Sequence, residues 1–243
     1  MFGRTFWTER RFTGITLILG CILFLTAAGL SPTDEKGTYM YDLPLREALM
    51  AVFHRWSSWQ WGLLLFCIAV VVTLLGFARL TSILREAGNR TFSSSGLIAL
   101  ALATGFILMD MTFRRSIEYW AAQETVKTHV IPALYLQLSL WDTAIFQVYT
   151  ALTFFAAFMY GMAIVSTRIL PHWLGWVIMV YTLAGGALFA FLGDMPPFVH
   201  YLLPIVIGVL LLLRRYQVPI RERSREKLIV TPPKLGNEGT LSW

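Results

Sequence analysis

The run Trp59-Gln60-Trp61-Gly62-Leu63-Leu64-Leu65-Phe66-Cys67-Ile68-Ala69-Val70-Val71-Val72-Thr73-Leu74-Leu75-Gly76-Phe77-Ala78-Arg79-Leu80 carries one charged side chain, Arg79, in 22 residues. An α-helix rises about 1.5 Å per residue, so a stretch of this length reaches across a hydrocarbon core of roughly 30 Å. A barrel strand would instead be short and alternate in polarity. A continuous apolar run reads as a spanning helix, because a helix satisfies its own backbone hydrogen bonds in lipid.

Working outward, five more apolar segments appear, at about residues 12–30, 96–113, 143–165, 173–192 and, shorter, 199–213. Pro, Gly and polar residues punctuate them, as in Ser31-Pro32-Thr33-Asp34, Gly88-Asn89-Arg90 and Met195-Pro196-Pro197. The chain therefore reads as an all-α polytopic membrane protein, a six-helix transmembrane bundle over residues 1–215 followed by a basic tail over 216–243.

Composition agrees. Of 243 residues, 56% are hydrophobic and 14% charged, against about 45–50% and roughly 25% in soluble domains. That balance excludes a disordered chain, a soluble enzyme and a nucleic-acid-binding protein. The two cysteines, Cys21 and Cys67, lie inside apolar runs without metal-type spacing, and read as small buried residues.

With the N-terminus inside, the inner segments hold 14 of the 20 Lys and Arg residues and the outer segments hold six. The positive-inside rule then places both termini in the cytoplasm of a cell with its inner membrane spanned six times. Arg221, Arg223, Arg225 and Lys227 lie near the membrane in the tail and fit anionic headgroups, at about 1 kcal/mol each.

Two outer segments have structure of their own. Pro44 opens an amphipathic helix over about residues 44–56, running into the interfacial Trp56, Trp59 and Trp61. The second, about 114–133, carries the third helix out of the bilayer and returns through Val130-Ile131-Pro132.

Ionisable groups near the spans are the candidate chemistry. Asp110, Arg114 and Glu118 recur every four residues, hence on one helix face where opposite charges pair. Such groups at membrane depth suit a proton or ion path; a helix end whose charges pair and snorkel to the interface is the plainer reading. Asp142 opens the fourth span and Asp194 closes the fifth, and local helix-end and turn chemistry accounts for both.

Three histidines, His54, His129 and His200, fall on the outer side, where with the carboxylates they suit a metal site or redox centre. They come from separate segments without a paired motif, and a bis-histidine haem between His54 and His200 needs two facing helices at equal depth. No cofactor is therefore expected. Phosphate-loop, dinucleotide and nucleophile-elbow patterns are absent, and no span holds a lysine for a retinal Schiff base. Gly161, Gly175, Gly185 and Gly186 read as close-packing positions.

The turn Arg168-Ile169-Leu170-Pro171-His172-Trp173-Leu174-Gly175-Trp176, leading into the fifth span, together with the six-span layout, resembles a bacterial family of small six-helix membrane proteins described as a domain of unknown function. The resemblance implies a six-helix bundle and no particular activity.

Three functions follow from these features. Without a catalytic motif, the first expectation is a non-enzymatic accessory or structural subunit, with other membrane-protein subunits as partners, in respiratory or photosynthetic complexes for example. The second is a small transporter or channel using Asp110, which requires a polar cavity reaching Asp110 near mid-membrane; a dry, aliphatic bundle core would count against it. The third is a membrane redox or metal protein using His54, His129 and His200, which requires those groups to converge.

Overall fold

The computed structural model describes residues 2–193 and 199–213. Asp194 and the basic residues Arg221, Arg223, Arg225 and Lys227 lie outside the described residues. Among those described, the chain is helical, with a single isolated β-bridge between Thr33 and Tyr39.

The helices are α1 (Phe2–Gly29), α2 (Leu45–His54), α3 (Trp56–Glu86), α4 (Thr91–Phe113), α5 (Tyr119–Thr128), α6 (Ala133–Thr167), α7 (His172–Leu192) and α8 (Val199–Leu213). Five stretches are long and apolar enough to cross a membrane: Glu9–Gly29, Trp56–Glu86, Thr91–Thr128, Ala133–Thr167 and His172–Leu192. A shorter apolar helix, His200–Leu213, follows them.

The expected outer loop after Arg114 is helical for most of its length. A π-helical turn, Arg114–Glu118, joins α4 to α5, and the helix stops only at His129, whose left-handed backbone (φ 58°) caps it. The fourth span also starts earlier than its apolar run implies. Pro132 precedes the first turn of α6 at Ala133, so Asp142 does not open the helix but lies within it. The physical reason is that Leu134, Leu136 and Leu138 alternate with polar residues, which dilutes the hydropathy without discouraging a helix.

Helix contacts follow the order α8, α1, α3, α4, α6, α7, and α2 packs on α5 to cover one end. Lipid offers no hydrophobic drive between helices, so close approach at small residues must supply the packing. A Cβ on Gly14 of α1 would lie 2.8 Å from the Gly208 carbonyl oxygen of α8, and one on Gly175 of α7 would lie 2.7 Å from the Gly161 oxygen of α6. Gly185 packs on Phe154, whereas a Cβ on Gly186 would meet nothing within 4 Å. Exposed Leu, Val, Ile and Phe side chains cover the outer faces, as a lipid-facing surface requires.

At the covered end, Ala48, Leu49 and Val52 of α2 and Ala121 and Ala122 of α5 join the core that runs down through Trp59, Leu63, Ile107 and Met111. Trp56 and Tyr119 stack across the joint, with centroids 3.8 Å apart and planes at 11°. At the opposite end, the α3–α4 and α6–α7 turns come together, and Asn89 donates to Ser166 and accepts from the Ser93 amide.

Candidate functional site

Residues four apart on an α-helix advance about 40° around its axis, so Asp110, Arg114 and Glu118 would fan away from one face. The π turn winds more slowly and holds them closer together. Asp110 is 0% exposed and Glu118 5%, whereas Arg115 and Ser116 on the same turn face outward.

The Arg114 guanidinium is central. Its Nε donates to both Asp110 carboxylate oxygens, at 3.2 and 3.1 Å. Its Nη2 stands 3.7 Å from Oδ2 of Asp142, which α6 brings against α4. The carboxyls of Asp110 and Asp142 are also neighbours within hydrogen-bonding reach. Glu118 lies within electrostatic reach of both Arg114 and Asp110.

Three buried carboxyls thus share one arginine. Full burial of an ion costs several kcal/mol unless a partner compensates it, and one guanidinium cannot compensate three carboxylates. Oδ1 of Asp142 and Oε2 of Glu118 are buried without a hydrogen-bond partner. Trp59 lies beside Glu118, yet its indole Nε1 is also unpartnered. Tyr135 of α6, 5% exposed, and the more exposed Tyr41 both lie within electrostatic reach of the cluster.

Deeper in the bundle, α3, α4, α6 and α8 surround a cavity of about 50 Å³. Its lining is mostly apolar, with Thr73, Thr104, Tyr149, Thr153, Tyr160 and His200 among the residues that border it, and the Thr73 and Thr153 hydroxyls donate back to carbonyls of their own helices. The His200 ring stands edge-on to Tyr149 and Phe154, with centroids at 5.4 and 5.0 Å, and its buried Nε2 has no partner.

The structure therefore brings Asp110, Arg114, Glu118 and Asp142 together and separates the histidines. His54 and His129 are exposed at the ends of α2 and α5, while His200 lies inside the bundle. Among the described residues, no three His, Cys, Asp or Glu side chains form a group that could hold a metal ion. Cys21 and Cys67 are free, and Sγ of Cys21 donates to the Tyr201 carbonyl at 3.3 Å.

Sequence reasoning missed Tyr149 and Tyr160. A signal was present: Asp142, Ile145, Tyr149, Thr153, Ala156 and Tyr160 recur at three- and four-residue spacing, which puts them on one helix face. The segment Arg168–Trp176 is a tightly packed turn. Arg168 caps α6 in a left-handed conformation (φ 56°), Ile169 and Leu170 are buried, and Pro171 precedes α7. His172 Nδ1 lies 3.2 Å from the Val165 carbonyl oxygen, and Trp176 Nε1 donates to His172 Nε2 at 3.1 Å.

Comparison with protein-family models, curated proteins and solved structures finds no match to this chain.

Proposed function

We propose that this protein is a small six-span proton transporter or channel of the cell membrane, with both termini cytoplasmic and Asp110, Arg114, Asp142 and Glu118 as its outer proton-exchanging site. The observation that carries this reading is the burial of three carboxyls around one guanidinium. Ionisable groups inside membrane segments are costly, and proton relays are among the few uses that repay their retention. A cavity of about 50 Å³ lies elsewhere in the same bundle; Tyr149, Tyr160 and His200 line it among mostly apolar side chains, and Asp110 is not one of its lining residues.

A proton suits the cluster better than a metal cation. Arg114 already occupies the position between Asp110 and Asp142, so a bound cation would have to displace it against charge repulsion. The sixth span is α8, whose 15 residues rise about 22 Å. It completes the crossing with local bilayer thinning or with flanking residues. The 14-to-six distribution of basic residues sets the orientation, and the basic tail engages anionic headgroups. A subunit role in a larger complex would use the exposed apolar faces, which lipid covers equally well.

Purified protein in vesicles containing a trapped pH dye tests the reading. With a potassium diffusion potential applied, the wild type acidifies or alkalinises the lumen faster than protein-free vesicles, and Asp110→Asn does not.

A further inference from the structure

Asp110 and Asp142 meet the same guanidinium but are held differently. Both oxygens of Asp110 accept from Nε of Arg114, at 3.2 and 3.1 Å, as an ionised carboxylate does beside a cation. Oδ2 of Asp142 stands 3.7 Å from Nη2, longer than a hydrogen bond. Its Oδ1 is buried without a partner. An ionised oxygen is strongly disfavoured in such a place, whereas a neutral carboxyl forfeits far less there.

The two carboxyls are also neighbours within hydrogen-bonding reach. Two carboxylates so placed repel, and a single proton turns the repulsion into a hydrogen bond. Asp110, already bound through both oxygens to the guanidinium, is the acceptor of that bond, which leaves Asp142 as the donor. Access points the same way: the Asp142 side chain is 12% exposed and that of Asp110 1%. The ionisable groups around Asp142 are Asp110 of α4, Arg114 and Glu118 of the π turn, and Tyr135 on α6 itself. Arg114 is the cation of that set.

We infer that Asp142 carries the exchangeable proton of this site, while Asp110 stays ionised as the fixed partner of Arg114. This rests on the proton-transport reading and names the group in that site that takes the proton. Loading forms one O–H bond at the Asp142 carboxyl as one breaks on an arriving hydronium ion, and release reverses both changes. When the proton leaves, the new carboxylate faces Nη2, and the guanidinium closes on it without leaving Asp110. The same arrangement accounts for the loss of transport expected of Asp110→Asn. The freed guanidinium pairs with Asp142 and holds it ionised.

The test is infrared spectroscopy of the full chain in lipid vesicles, with an isotopic label on the aspartate side-chain carboxyl carbons. At neutral pH the wild type should show a protonated-carboxyl band that shifts with the label and disappears as the pH is raised. Asp110→Glu should keep the label-sensitive band, because labelled Asp142 still carries the proton. Asp142→Glu moves the proton to an unlabelled side chain, so the label sensitivity is lost. The reverse pattern, or a wild type without a label-sensitive band at neutral pH, overturns the assignment. If Asp142→Glu fails to insert, Asp110→Glu decides alone. Proton flux into dye-loaded vesicles of the same preparations separates the two claims. Wild-type flux with the reverse band pattern removes the assignment and leaves the site reading standing; the expected pattern without flux supports the assignment and removes the transport reading.

Discussion

Nε of Arg114 donates to both carboxylate oxygens of Asp110, one helical turn earlier, in a site where the aspartate is wholly buried. Removing one member of a buried pair leaves the other uncompensated, which costs about 3–5 kcal/mol. Arg114→Ala is therefore expected to lower the unfolding free energy in detergent by that amount. The double variant Asp110→Leu/Arg114→Met removes both charges of the pair and should recover part of the loss, since Asp142 and Glu118 still lack the guanidinium. Thermal or denaturant unfolding of the three proteins checks this. Equal destabilisation of the single and double variants would show that the pair itself is not what matters.

The π turn depends on one residue more than an α-helix needs. Inserting one alanine after Ser116 exceeds what the π turn absorbs and rotates α5 by about 100°, carrying Ala121 and Ala122 away from α2. Hydrogen exchange should then accelerate in α5 and α2 while α6 and α7 keep their protection. Unchanged exchange in α5 would mean that the turn does not set the docking of the two covering helices.

Gly161 and Gly175 bring α6 and α7 together closely enough that a Cβ would meet a backbone oxygen. Gly161→Leu is expected to destabilise by about 1–3 kcal/mol or more through overpacking. Gly186→Leu, where a Cβ meets nothing within 4 Å, should be close to neutral. Melting temperatures in one detergent distinguish the two. Equal effects would remove the packing account of this helix pair.

Orientation has a direct check. In a Cys21→Ala/Cys67→Ala background, an impermeant maleimide added to intact cells should label Glu35→Cys and Lys127→Cys. Glu86→Cys should react only after permeabilisation. All three native positions are exposed. The reverse labelling pattern would invert the assignment made from basic residues.

The membrane class and the helical segments were legible because a run such as Trp59–Leu80 has few other ways to satisfy its backbone in lipid. The four-residue spacing of Asp110, Arg114 and Glu118 was legible for a similar reason, since it is local. Asp142 as a second partner for Arg114 was not. Its approach depends on which face of α6 meets α4, and no local rule specifies that register. The π turn left no Pro or Gly to mark it. Tyr149 and Tyr160 were hidden because aromatic residues in spans usually serve packing or interfacial anchoring. Chain position at span ends did not show that His200 turns inward while His54 and His129 face outward.

The central claim is that the buried carboxyl cluster moves protons and not another cation. The most direct measurement is the reversal potential of the wild-type current in a planar bilayer, with the pH gradient varied at fixed salt and the salt gradient at fixed pH. The account predicts a reversal potential that follows the pH gradient alone, and a current that Asp110→Asn removes. A reversal potential that ignores pH and follows the salt gradient would contradict it.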